Sequence, residues 1–79
     1  MTIRLFARLR DLVGQSELVR DLPPQSTVAT VWDQLAAEFP AVAPYAASMS
    51  CAVNADYARL TTVVRDGDEI AFLPPVSGG

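Results

Sequence analysis

The sequence ends FLPPVSGG, and its two final glycines are the residues from which chemistry is most readily read. Gly78 and Gly79 bring no side chain to a core and lose more backbone entropy on ordering than other residues would. What they offer is slimness: bare backbone passes through a channel too narrow for a Cβ and can present a carboxylate inside another protein's site. Pro74 and Pro75 remove two amide donors and hold the backbone extended. Residues 76–79 are therefore expected to form a flexible tail beyond a domain of residues 1–75. A disordered tail or an appended linker is the plain alternative, against which the stiff LPPV lead-in stands.

The other reactive residue types are few. Cys51 is the only cysteine and there is no histidine, which excludes a disulfide framework, a zinc site and any Cys–His or Ser–His nucleophile pair within the chain. Cys51 sits in SCAVN, where a small buried hydrophobe is a better reading than a sulfur-carrying thiol. There is no lysine, so the amine at Met1 is the one group another carboxyl terminus could acylate. All six cations are arginines, at 4, 8, 10, 20, 59 and 65, scattered in a chain of net charge −3. Without a basic stripe no nucleic-acid partner is expected. Apolar runs fall short of a membrane span, and Met1 leads into strand-like sequence without signal-peptide architecture, so a cytoplasmic protein is expected.

Seventy-nine residues, 51% hydrophobic and 19% charged, suit one domain with one core. TIRLFARL (2–9) alternates, which predicts a strand with Ile3, Leu5, Ala7 and Leu9 on one face and Thr2, Arg4, Phe6 and Arg8 on the other. RDLVG (10–14) supplies a turn, and SELVRDL (16–22) a second strand whose facing is ambiguous because Leu18 and Val19 are adjacent. PPQST (23–27) breaks it and provides Thr27 as N-cap of an amphipathic helix carrying Val28, Val31, Trp32, Leu35 and Phe39 and ending at Pro40. Residues 41–49 read as a helical turn or loop over the core. CAVN (51–54) and YARL (57–60) suggest a hairpin turning at Asn54, Ala55 and Asp56. RDGDE (65–69) is a tight turn with Gly67 free to take positive φ, and EIAFL (69–73) a last strand with Ile70 and Phe72 on one face, Ala71 and Leu73 on the other. The order β-β-α-β-β-β places one main helix across a mixed sheet of about five strands, an α+β fold.

The RLFARLRDLVG opening, the DGDEIAFLPPVSGG ending and the spacing between them resemble the small, sulfur-carrying subunits of molybdopterin synthase, ubiquitin-like proteins of the β-grasp fold. The resemblance runs from Ile3 to Gly79 and is weakest over residues 41–50. It implies that the chain is no enzyme on its own and binds no cofactor. It implies instead that an ATP-using adenylyltransferase of the ubiquitin-activating type adenylates Gly79. A sulfur donor such as a cysteine desulfurase or rhodanese relay then converts it to a thiocarboxylate. That sulfur enters the dithiolene that the large synthase subunit builds from cyclic pyranopterin monophosphate. Gly79 is then the reactive residue, Gly78 keeps the approach slim, and Val76 and Ser77 line the channel entrance behind Pro74 and Pro75. In a β-grasp sheet the first and last strands are neighbours, so Phe6 and Leu73 are expected to form one outward apolar docking patch with Arg8 and Arg10 at its rim. Scattered surface hydrophobes are the bland alternative.

Three other functions fit a chain of this kind. A sulfur carrier of thiamine biosynthesis shares the fold and the tail chemistry. A protein modifier would attach Gly79 to lysines of targets, though without building lysine-linked chains on itself. A β-grasp interaction module without tail chemistry would keep its function when Gly79 is removed.

Overall fold

The computed structural model describes residues 1–75. The chain runs as β1 (Thr2–Leu5), α1 (Ala7–Val13), β2 (Glu17–Val19), α2 (Val28–Glu38), a 3-10 turn over Pro40–Tyr45, β3 (Ser50–Val53), β4 (Asp56–Tyr57) and β5 (Glu69–Leu73). The five strands form one sheet in the order β2-β1-β5-β3-β4, with β1 and β5 parallel and every other neighbour antiparallel. The last strand therefore occupies the centre of the sheet.

Two expected elements are corrected: residues 10–13, expected as part of a turn, belong to α1 with only Gly14 turning the chain, and the opening strand is shorter than expected. The strand predicted over residues 2–9 ends at Leu5, and α1 replaces its second half. The chain turns at Ala7, whose φ of 50° lies in the left-handed region, and Ala7 is exposed rather than inward. Leu9 satisfies both periods, but Leu9, Leu12 and Val13 follow helical spacing. Leu9 and Val13 are buried and Leu12 packs against them. Gly14 closes α1 with φ 85° and donates its N–H to the Arg10 carbonyl at 2.8 Å, the left-handed C-cap that glycine makes cheaply.

The second strand is shorter than its predicted 16–22 span. The register Ile3↔Leu18 turns Leu18 into the core and leaves Val19 outward. The second hairpin is tighter than expected as well. It turns on Asn54 and Ala55 alone, at φ 51° and 72°, with Asp56 already paired to Val53. Two central residues at positive φ match the twist of the flanking strands. Asn54 also fastens this turn to the start of β5: its Nδ2 donates to Asp68 Oδ1 and its Oδ1 accepts from the Glu69 N–H, both at 3.0 Å. Gly67 makes its turn at φ 88°, as its position in RDGDE predicts.

The main helix forms where its spacing places it. The Thr27 hydroxyl accepts from the Thr30 N–H and the Thr30 hydroxyl accepts from the Thr27 N–H, a reciprocal N-terminal cap. Val28, Val31, Trp32 and Leu35 are buried, and Pro40 opens the 3-10 turn. Trp32 meets Phe72 edge to face with ring centroids 5.0 Å apart, which seats α2 on the central strand. The core is one cluster in which Leu5, Leu9, Leu35, Ile70 and Phe72 are fully enclosed. At the far edge Arg20 closes the layer with a bidentate pair to Glu38, at 2.7 and 3.0 Å.

Candidate functional site

The candidate site is built around β5 because that strand leads to the tail. Alternation turns Ile70 and Phe72 inward and leaves Glu69, Ala71 and Leu73 on the face that the helices do not cover. Pro74 is half-buried and Pro75 exposed at its end. Val76, Ser77, Gly78 and Gly79, the residues on which the tail chemistry is expected, lie outside the described residues.

Register decides what surrounds Leu73. Ala52 of β3 faces Ala71 of β5, Ser50 faces Leu73, and Tyr57 of β4 faces Ala52. Two alanines side by side leave a shallow trough, walled by Leu73 and by Tyr57, with Ala55 at its end. Tyr57 is 87% exposed, an unusual position for a ring that size unless something is to cover it.

Phe6 and Leu73 lie at the same end of the open face without sharing one pocket. The pair Leu5↔Phe72 is the last rung of the parallel ladder, so Phe6 comes next on the β1 side of the sheet and Leu73 on the β5 side. Phe6 is 38% exposed and lies beneath the Arg4 guanidinium, 5.8 Å from its ring centroid, while Arg4 reaches Glu69 at 3.6 Å. Arg8 and Arg10 stand exposed on α1, not on β1, and Arg10 lies 3.9 Å from Asp11. Sequence reasoning placed Arg4 with Phe6 on one face and Ala71 with Leu73 on one face, named Phe6, Leu73, Pro74 and Pro75 for the site, and did not single out Ala52 or Tyr57. Nothing in the sequence announces that Ala52 meets Ala71.

Cys51 belongs to the opposite face. It is 6% exposed, its thiol donates to the Ala58 carbonyl at 3.2 Å, and burial pushes the thiol above its ordinary range. A thiol held protonated in a core is a poor nucleophile. Among the described residues no group of three or more histidine, cysteine or acidic side chains could hold a metal ion. Another hollow lies at the other end of β5 from Leu73, between Met1, Leu22 and Val63, with Arg65 and Asp66 as its charged side chains beside the Met1 amine. No helix among the described residues is long and apolar enough to cross a membrane.

Similar proteins share the sequence and the fold. The chain is 35% identical to a molybdopterin synthase sulfur carrier subunit of Arabidopsis thaliana over 98% of its own length and 80% of that protein's. It is 36% identical to the Escherichia coli protein of the same name, over 98% of this chain and 96% of that one. Its fold matches the crystal structure of SAMP1, a small archaeal modifier protein of Haloferax volcanii, with a TM-score of 0.88 at 29% identity, covering 99% and 97% of the two chains. The ThiS family model matches residues 3–79, and the chain belongs to the ThiS family.

Proposed function

We propose that this protein is the sulfur-carrying small subunit of a molybdopterin synthase, and that Gly79 is its reactive residue. The observation that supports the reading most is its near-full-length similarity to molybdopterin synthase sulfur carrier subunits. A carboxylate is a poor electrophile. Its oxygen attacks the α-phosphate of ATP on an activating enzyme, pyrophosphate leaves, and the Gly79 acyl-adenylate carries AMP as a good leaving group. A persulfide sulfur displaces the AMP, and a second donor thiol then cleaves the new S–S bond, leaving Gly79 with a thiocarboxylate. The thiocarboxylate is the nucleophile that the large subunit uses on cyclic pyranopterin monophosphate.

The folded domain contributes position. The central strand ends at Leu73, the diproline restricts the backbone at the exit from the sheet, and Val76, Ser77 and Gly78 are the residues that would enter the partner. Docking of the large subunit uses the trough walled by Leu73 and Tyr57, with Phe6 beside it and Arg8 and Arg10 at the edge toward α1. The test is molybdopterin formation in a reconstituted assay with activating enzyme, ATP, a sulfur donor and the large subunit. Deleting Gly79 withdraws the carboxylate by up to about 3.5 Å along an extended chain, beyond what catalytic geometry tolerates. The expected result is no product from a fully folded protein. Product at the native rate would reject the reading.

The likeness to SAMP1 supports a second reading, attachment of Gly79 to amines of target proteins. Denaturing gels of native-cell extracts separate the two: a carrier runs at its own mass, and a modifier gives a ladder of stable conjugates.

A further inference from the structure

The turn that leads into β5 holds some of its reactive atoms and leaves others free. Asn54 Nδ2 donates to Asp68 Oδ1, Asn54 Oδ1 accepts from the Glu69 N–H, and Asp68 Oδ2 accepts from the Arg65 N–H at 2.8 Å. The side chains of Asn54 and Asp68 are thus both engaged. Asp66 and Gly67 form the corner of the same turn, which the Asp68 N–H closes on the Arg65 carbonyl at 3.0 Å. Both corner residues are exposed. Among the described residues the Asp66 carboxylate takes no hydrogen bond or ion pair, and the Gly67 N–H meets no acceptor. Gly67 sits at φ 88°, with no atom beyond its chain neighbours within 4 Å of where a Cβ would stand. Asp66 is also the only aspartate or asparagine of the chain that glycine follows.

An aspartate Cγ and the next amide nitrogen can close a five-membered ring. A side chain on the residue that supplies the nitrogen, or a hydrogen bond on either group, opposes that closure, and the Asp66–Gly67 corner has neither. We infer that Asp66–Gly67 is a self-modifying turn: it forms a succinimide and then isoaspartate, and presents the resulting free carboxylate to a carboxyl methyltransferase. The Gly67 nitrogen attacks Cγ of Asp66, and a carboxyl oxygen leaves as water with the amide proton and one proton from solvent. Water then opens the imide. Attack at Cγ restores aspartate, whereas attack at the Asp66 main-chain carbonyl carbon breaks its bond to the Gly67 nitrogen and frees it as a carboxylate, with the chain now running through Cβ and Cγ. No oxidant or reductant is consumed. The product keeps the mass of the native chain but is one backbone atom longer between Arg65 and Asp68, so the bonds that close the turn loosen. A methyltransferase moves the methyl of S-adenosylmethionine onto the freed carboxylate, and the ester closes back to the imide as methanol leaves. This chemistry needs no activated tail and is independent of the carrier reading.

The test stores the full chain in warm neutral buffer, folded and, separately, unfolded in guanidinium chloride, beside the variant Asp66→Glu. That variant keeps the charge but needs a larger ring, which closes more slowly. Samples taken over weeks are digested and mapped for isoaspartate, and the folded chains are offered labelled S-adenosylmethionine with an isoaspartyl methyltransferase. The folded native chain is expected to accumulate isoaspartate at position 66, to show a minor species lighter by one water, and to accept label while still folded. Asp66→Glu is expected to lose all three signals, while Asn54 and Asp68 stay unmodified in the folded chain. If the folded chain carries no more isoaspartate at position 66 than the Asp66→Glu background by the time the unfolded chain has acquired it, the fold shields the corner and the inference is wrong. Absence of isoaspartate from both samples would reject the ring closure itself. Modification that appears first at Asn54 or Asp68 would overturn the inference equally, and a folded chain that carries isoaspartate but takes no label would remove the methyltransferase from it.

Discussion

The two faces of the sheet are made by the same strands and carry opposite kinds of side chain. On the covered face Ile3, Leu5, Ile70 and Phe72 are large, interlocked and at most 2% exposed. On the open face Ala52 and Ala71 are small and leave a trough, bordered by the half-buried Leu73 and by Tyr57 standing 87% in solvent. Alternation alone separates them, since each strand gives every second residue to each face. The covered face is filled to closure and sets stability, whereas the open face is shaped but unfilled. A substitution should therefore act on folding or on docking according to the parity of its position in the strand.

The largest expected effect lies on the covered face. Phe72→Ala removes a fully enclosed ring and its edge-to-face contact with Trp32, and should lower unfolding free energy by about 3–5 kcal/mol. A urea titration checks it, and a loss under about 1 kcal/mol would break the division between faces. One residue along, Leu73→Asp should leave the urea midpoint nearly in place and weaken binding of the large subunit by about 2 kcal/mol in calorimetry, as an interface anchor does. Unchanged affinity would move the docking site elsewhere. Cys51→Ala, an inward position, should cost about 1 kcal/mol of stability through lost packing and leave sulfur loading intact. A folded but unloadable variant would give the thiol a role in transfer.

The smallest effect concerns the staple between the second hairpin and β5. The Asn54 side-chain hydrogen bond, and after it the Arg65 N–H at 2.8 Å, holds the Asp68 carboxyl below the usual carboxylate range. A depressed carboxyl stabilises the fold above its unfolded pKa, about 4, and that contribution drains away as pH falls through the lower folded value. The stability difference between native protein and Asp68→Ala should therefore be constant near neutral pH and shrink in acid. A difference independent of pH would assign the staple to geometry instead of charge.

Much of this division is legible in the sequence. The alternation of EIAFL assigns both faces of β5 correctly, the spacing of Val28, Val31, Trp32 and Leu35 gives α2, and Thr27 marks its start. Residues 7–13 mislead because Leu9 fits period two and period 3.6 alike, and only Leu12 and Val13 break the tie. Leu18 and Val19 resist assignment, because facing depends on a register that the partner strand sets. The docking trough is hidden for the same reason. Ala52 and Ala71 are far apart in the chain and gain meaning only when β3 and β5 pair. Residues 41–49, apolar and punctuated by Pro44, carry no clean period. The structure resolves them into a 3-10 turn that buries Val42 alone, with further turns leading into β3.

The central claim, that the chain carries sulfur on Gly79, is tested most directly by the intact mass of the protein purified from its native cell. The account predicts a population heavier than the unmodified chain by the exchange of one oxygen for one sulfur. Fragmentation should localise that exchange to the terminal glycine, and the population should be lost when the activating enzyme is absent. A chain that is fully loaded with sulfur elsewhere, or never loaded while molybdopterin is being made, would contradict it.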